Sequence, residues 1–291
     1  HPPRLLRLFA RGHREEDVFV ELLRLIGVEV HTVDPATGHQ FSVSAHGGHF
    51  AGSMDGACVG LVEAPKRWHL LEFKTSGDKA FGELAKLGVE QAKPEHYAQM
   101  QVYMHLSGLS RAYYMAVNKN TDALHTERVH YDEQTAERLL ERAERIVFAQ
   151  TPPPRVSEDP EWHECRFCDY HRICHDRMPP SHVSCRTCLH ATPERDGHRR
   201  WSCARWGEDE IPLATQKAGC EEHRLIPALV AHSEPVDANE RENWVLYRTE
   251  GGFEFRNGPR GHRSYTSAEL AHLPPAMVGD EGIEALREQM E

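Results

Sequence analysis

The sequence has no run approaching the roughly 18 consecutive apolar residues that a membrane-spanning helix needs. It also has no basic-then-apolar leader at its start. Both absences give the expectation of a soluble, intracellular chain with no membrane partner. Positive charge is in short supply as well: 34 Lys and Arg stand against 45 Asp and Glu, a net charge of −11. That balance argues against a surface coated for nucleic acid. The deficit is uneven, with 6 basic and 12 acidic residues beyond position 230 but 14 and 15 in the first 130. A near-neutral first part still has room for a basic groove. Cysteine is rare outside one window, since seven of eight fall between positions 165 and 220 and only Cys58 lies elsewhere. With no secretion signal, clustered Cys-x2-Cys pairs read as metal ligands rather than as a disulfide framework.

What is present is an ordinary globular mix, 39% apolar and 27% charged over 291 residues, which implies two domains or one with appendages. Residues 14–26 place Val18, Leu22, Leu25 and Ile26 on one helical face. Short β-like runs follow at 28–33, 41–45, 52–62 and 68–74, with glycines between them marking a hairpin and close backbone approaches. Residues 94–106 read as a second helix, 111–118 as a buried strand and 124–131 as its partner. Asp132 caps a charged helix running to about 150. Pro152, Pro153 and Pro154 stop it. The expected organisation is therefore a first domain over 1–150, a stiff linker over 151–160, a cysteine-rich region over 161–227 and a tail over 228–291. The tail contains a hairpin around 249–252 and a short helix over 266–273.

The sharpest signal is Ser53-Met54-Asp55-Gly56 followed by Leu70-Leu71-Glu72-Phe73-Lys74. Period-2 alternation puts the Glu72 carboxylate and the Lys74 ammonium on one face of a strand. Charges there are expensive unless they pair or bind something. Asp55 and Glu72 on neighbouring strands make an oxygen site suited to Mg²⁺ or Mn²⁺. A lysine beside them can orient a water for in-line attack on phosphorus. The plain alternative is a buried Glu–Lys ion pair, because Glu-x-Lys alone occurs in many chains. His13 and Glu16, expected at the opening of the first helix, and His96, Gln99 and Tyr103, spaced along one face of the later helix, add polar groups that could converge on the same place.

Together GHxxE (Gly12, His13, Glu16), GSMDG (Asp55), EFK (Glu72, Phe73, Lys74) and QxxxY (Gln99, Tyr103) resemble the RecB-like branch of the PD-(D/E)XK nuclease superfamily. More narrowly, GHFAGSMDG, LLEFKT, AKPEHYAQMQVYM and AVNKN are similar to a phage and prophage exonuclease family with a cysteine-rich C-terminal region. The likeness spans roughly residues 4–225. Met54 stands where the superfamily name implies a proline. The resemblance implies an α/β (α+β) core with a mixed central sheet flanked by helices. It implies that His13, Asp55, Glu72 and the Phe73 carbonyl bind the catalytic Mg²⁺ or Mn²⁺. Lys74 would then position the nucleophilic water, and Gln99 and Tyr103 would shape the strand-binding side.

In the cysteine-rich region, Cys185-x2-Cys188, Cys203 and Cys220 offer four thiolates, enough for a tetrahedral structural zinc site, with His190 and His223 close enough to replace one of them. Cys165-x2-Cys168-x5-Cys174 needs a fourth ligand, for which His171 stands first and His175 or His163 are alternatives. The same spacing resembles the iron–sulfur motif of CRISPR adaptation nucleases and AddB-type helicase-nucleases, which makes a [4Fe–4S] cluster the alternative to zinc. Arg166, Arg172, Arg177, Arg186, Arg199, Arg200 and Arg205, with Trp201 and Trp206, suit a strand-gripping surface. The indoles could equally fill a small metal-stapled core.

The resulting expectation is a metal-dependent DNA exonuclease of phage-type recombination or DNA end processing. It would act on linear or single-stranded ends in the cytoplasm of a bacterial host, with a phage single-strand annealing protein as a partner. A structure-specific or restriction-type endonuclease, or a DNA-binding scaffold with a relict site, are the alternatives.

Overall fold

The structure is a computed structural model that describes residues 2–149, 151–230 and 232–289. Gln150, the expected end of the charged helix, lies outside the described residues. The chain divides into two compact units, His1–Val147 and Phe148–Glu291. No helix among the described residues is long and apolar enough to cross a membrane.

In the first unit, helix α1 covers Pro3–Leu25. Strands β1 (Glu29–His31), β2 (Ser42–Ala45), β3 (Phe50–Ser53), β4 (Gly56–Val59) and β5 (His69–Ser76) follow. Then come α2 (Asp78–Ala92), α3 (Pro94–Ser107), β6 (Arg111–Asn118), β7 (Leu124–His130) and α4 (Glu133–Val147). The main sheet has the order β1-β4-β5-β6-β7, with β2 and β3 as a separate hairpin. The β5–β6 pair is parallel and the other neighbours are antiparallel, so the sheet is mixed, as expected.

Alternation along β5 divides its side chains between two cores. Leu71 and Phe73 join Phe19, Leu23 and Met115 on the face that α1 covers, where the Phe19 and Phe73 rings lie 5.1 Å apart. Leu70 points the other way, into a cluster with Leu84 of α2, Met100 and Met104 of α3, and Tyr114 of β6. Each such side chain contributes roughly 2 kcal/mol of burial. Helices on both faces explain why Leu70, Leu71 and Phe73 of β5 are all apolar although they point to opposite sides.

Three local readings need correction. Helix α1 starts at Pro3, well before residue 14, because Pro at the first helical position is followed by the strong helix formers Arg4, Leu5, Leu6 and Arg7. His13 and Glu16 therefore sit in mid-helix. The buried face of α1 is Phe19, Val20 and Leu23, whereas Val18, Leu22, Leu25 and Ile26 are exposed. The sheet selects the face that presents the aromatic ring. Finally, no helix is expected between 75 and 93 from periodicity, yet α2 fills most of that span. Gly82 weakens its periodicity, and Gly88 breaks it with φ of 74°, while Glu127 holds the next turn by accepting from Val89 N–H at 2.8 Å.

In the second unit, α5 (His163–Arg166) and α6 (His171–Cys174) are single turns. A hairpin of β8 (Ala191–Pro193) and β9 (Trp201–Cys203) precedes α7 (Leu213–Ala218). The tail is a four-stranded sheet of β10 (Ser233–Asn239), β11 (Trp244–Thr249), β12 (Glu254–Asn257) and β13 (Ser264–Tyr265). It is followed by α8 (Ser267–His272) and α9 (Glu281–Gln289). The expected hairpin is β11–β12, and the expected helix is α8, closed by a capping box between Thr266 and Glu269. The core of the tail contains Tyr247, Phe255, Tyr265 and Leu270 together with Leu225 and Val230, which flank the expected 227/228 boundary.

Candidate active site

The site is built on β5 and the bend that precedes β4. Asp55 sits at that bend, and its Oδ2 accepts from Phe73 N–H at 2.7 Å, which ties it to the strand carrying the other charges. Glu72 is fully buried. Its Oε1 accepts from Lys74 Nζ, the same-face neighbour that strand alternation calls for. Lys74 Nζ also donates to the Phe73 carbonyl at 3.1 Å. Gln99 on α3 donates to Glu72 Oε2 at 3.3 Å.

The electrostatics follow from burying two carboxylates together. Burial pushes the Glu72 carboxyl up to about 7, beyond what Lys74 pulls back, and Asp55 adds to the rise. The Asp55 carboxyl is also raised, first by burial and against the pull of Lys74. Two adjacent acids held above their ordinary range form a pair that is stabilised by added positive charge. Their oxygens, with the Phe73 carbonyl beside them, are the hard donors that Mg²⁺ or Mn²⁺ prefers. On donor chemistry the residues fit such a cation.

Tyr103 reaches the same neighbourhood, bonded to Gln99 and within the fields of Glu72 and Asp55. Its hydroxyl lies over Gly52 of β3, where a Cβ would stand 2.1 Å from the Tyr103 oxygen. Only glycine leaves room for that ring. His13 is different. Its side chain is 77% exposed, and Nδ1 stands 3.4 Å from Glu16 Oε2. It reaches Asp55 through its electric field and not by contact, as does Glu16. The structure thus brings Asp55, Glu72, Phe73, Lys74, Gln99 and Tyr103 together and leaves His13 at the rim. Among the described residues no group of three or more His, Cys, Asp or Glu side chains closes into a metal shell.

Sequence reading missed one partner of this site. Tyr114 on β6 pairs in register with Glu72 and is fully buried. Its hydroxyl is hydrogen-bonded to His96 Nδ1 at 2.9 Å. Burial and the nearby Lys74 pull the His96 imidazole down to about 4, so the ring is neutral near pH 7. The spacing of His96 and Gln99 was visible in the sequence, but the Tyr114 contact depends on strand register, which was not.

With this geometry in place, the comparison with known proteins is decisive. Residues 3–175 match the PD-(D/E)XK nuclease superfamily. The chain belongs to that superfamily. Nuclease chemistry on DNA and dependence on a divalent metal such as Mg²⁺ or Mn²⁺ come with membership. No curated protein sequence matches the chain. Among solved structures, it is similar to the crystal structure of SSO0001, at 16% identity and a TM-score of 0.36 over 60% of this chain and 71% of that one. It is also similar to LHK-Exo in complex with dAMP, at 17% identity and a TM-score of 0.34 over 46% of this chain and 64% of that one. Likeness at that level says nothing about activity.

The cysteines of the second unit fall into two neighbourhoods. Cys165 is buried, and Cys174 and Cys168, after burial itself, are the largest influences that raise its thiol. Cys168 Sγ accepts from Tyr170 N–H at 3.4 Å, the hydrogen bond of a Cys-x2-Cys knuckle. His171 spends Nε2 on the Pro160 carbonyl at 3.3 Å, and His163 is largely exposed. His175 Nε2, in contrast, is buried with no partner among the described residues. Cys58 is sealed in the core of the first unit, where burial pushes its thiol up to about 12.

Cys185, Cys188, Cys203 and Cys220 line one cavity of about 310 Å³ together with His190 and His223. Of the expected strand-gripping groups, Arg200 and Arg205 are committed to Asp196 and Glu222. Trp206 is 60% exposed, whereas Trp201 is half-buried in β9.

Proposed function

We propose that this chain is a metal-dependent DNA exonuclease that degrades linear or single-stranded ends, in phage-type recombination or DNA end processing in the bacterial cytoplasm. The observation that carries the reading is the buried Asp55–Glu72 pair with Lys74 hydrogen-bonded between Glu72 and the Phe73 carbonyl. Exonuclease action, as opposed to endonuclease cutting, and a phage annealing protein as partner are supported by the resemblance of GHFAGSMDG, LLEFKT and AKPEHYAQMQVYM.

Asp55, Glu72 and the Phe73 carbonyl would hold the divalent cation, with His13 as the further ligand that the resemblance implies. Bound there, the cation supplies Lewis-acid stabilisation of the phosphodiester and a more acidic water. Lys74 orients the attacking water and offsets charge that develops on the phosphoryl oxygens. Glu72 accepts from Lys74 and Gln99, which fixes both donors on the face where the strand lies. Tyr103, seated over Gly52, and Gln99 shape that side. Zinc at Cys165, Cys168 and Cys174, with His175 favoured over His171 as nitrogen donor because its Nε2 is unspent, belongs to the same reading.

The test is a time course on end-labelled linear duplex, single strand and covalently closed circle, with Mg²⁺, Mn²⁺ and chelator lanes. Release of nucleotides from linear substrates only, abolished by chelator, is expected. Cutting of the closed circle at a comparable rate would assign the endonuclease alternative instead.

A further inference from the structure

The cavity in the second unit carries chemistry that DNA cleavage does not use. Cys185 and Cys188 stand on a 3-10 turn at Cys185–Thr187, Cys203 ends β9, and Cys220 follows α7. All four face one cavity, and Cys188, Cys220 and Cys203 each act electrostatically on Cys185. Cys188 sulfur accepts backbone N–H bonds from His190 and Arg224.

Arg224 adds an independent indication. Its side chain is only 2% exposed, and it donates to the carbonyls of Asn243, Glu221 and His223. Among the described residues it makes no ion pair, because the nearby Glu222 carboxylate is bonded to Arg205 and Asn243. A buried guanidinium without a paired anion is costly. Burial disfavours its charge; the field of Glu222 stabilises it most, and Cys188 and then Cys220 add to that.

The segment that holds Cys220 is also stitched to the tail. Asn243 Nδ2 donates to the Glu222 carbonyl at 3.0 Å, Leu225 N–H donates to Asn257 Oδ1 at 2.8 Å, and Ser267 Oγ donates to the His223 carbonyl at 2.9 Å. On the other side of the cavity, His190 Nε2 is bonded to Asn243 Oδ1 at 2.8 Å. Two lining segments of the sulfur-lined space, at His190 and at Glu222–His223, are thus hydrogen-bonded to the tail.

We propose that Cys185, Cys188, Cys203 and Cys220 bind one thiophilic divalent cation of the zinc class, that Arg224 is its countercharge, and that the cation fastens the β8–β9 hairpin to the segment after α7 that is hydrogen-bonded to the tail sheet. Four thiolates around such an ion leave a net charge of −2, which one buried guanidinium offsets in part. His223 is the one rival donor. Its Nε2 donates to the Ser184 carbonyl at 3.0 Å, which leaves the Nδ1 lone pair buried and without a partner.

The experiment measures zinc per chain by plasma mass spectrometry in the reduced full-length protein. Cys185→Ser with Cys188→Ser, Cys203→Ser and Cys220→Ser should each lose one equivalent relative to wild type, and His223→Ala should lose none. Unchanged zinc in the cysteine variants overturns the site, and loss in His223→Ala overturns the all-sulfur shell. Where a variant fails to fold, alkylation of wild-type protein followed by peptide mapping decides. These four thiols should react at least tenfold faster after a zinc chelator is added, and equal rates overturn the proposal. Arg224→Met should weaken zinc about tenfold, with Arg224→Lys recovering part of it, and wild-type affinity in Arg224→Met removes the countercharge. Hydrogen exchange of β10–β12 should accelerate on zinc removal, and unchanged protection removes the fastening role.

Discussion

The two units bury themselves by different means. The first packs helices on both faces of a five-stranded sheet, with separate apolar clusters around Phe73 and around Leu70. In the second, the stretch from 148 to 224 buries few apolar side chains: Ile211 and the cysteines Cys165, Cys185 and Cys188. Its apolar cluster begins only at Leu225. Short segments with so little core are typically held by staples. The difference teaches that the proposed catalytic groups rest on a scaffold with two apolar clusters of its own, while the cysteines stand where such a core is sparse.

The comparison breaks most visibly in activity. Lys74→Ala or Asp55→Ala should lower Mg²⁺-dependent DNA hydrolysis by about 10³-fold, within the range for loss of a positioned catalytic group. The thermal midpoint of Asp55→Ala should hold steady or rise, because a like charge beside Glu72 is removed, whereas that of Lys74→Ala should fall, because the buried Glu72 loses its ion-pair partner. A rate assay beside a melting curve checks both. Next in size, stripping zinc should lower the melting transition of residues 148–291 and leave that of the first unit in place. Calorimetry of the intact chain reads this as one transition separating into two.

A smaller effect is expected from Gly52→Val. The added side chain would displace the Tyr103 ring, with a loss of about tenfold or more in kcat/KM on DNA and intact circular dichroism. The smallest concerns pH. The folded Glu72 carboxyl titrates near 7, against 4.5 in its ordinary state. The native state therefore holds its proton more tightly than the unfolded state does. That contribution is full below pH 4.5 and is lost as pH rises through 7, by at most about 3 kcal/mol. Urea unfolding without added Mg²⁺ should show the decline, Glu72→Gln should flatten it, and Mg²⁺ should oppose it above pH 7.

What could be read from sequence follows the range of the forces involved. The placement of Glu72 and Lys74 on one face is a property of a single strand, and the spacing of Gln99 and Tyr103 is a property of a single helix. Both were legible. The buried face of α1 was not, because Leu22, Leu25 and Ile26 are as apolar as Phe19 and Leu23, and only the sheet decides between them. Helix α2 was hidden by Gly82 and Gly88, whose cost is offset by contacts distant in sequence such as Val89 with Glu127. The Tyr114–His96 bond needs the parallel register of β5 and β6. Likewise, the buried nitrogens of His175 and His223 become visible only when their partners can be counted.

Titration of Mn²⁺ into wild type, Asp55→Asn and Glu72→Gln, with DNA absent, reads most directly whether these two carboxylates share a cation. Mn²⁺ prefers oxygen donors and so discriminates against the cysteine cavity. Binding to wild type at about one ion per chain, weakened at least tenfold in either variant, is the expected result. Equal affinity in all three proteins would contradict it.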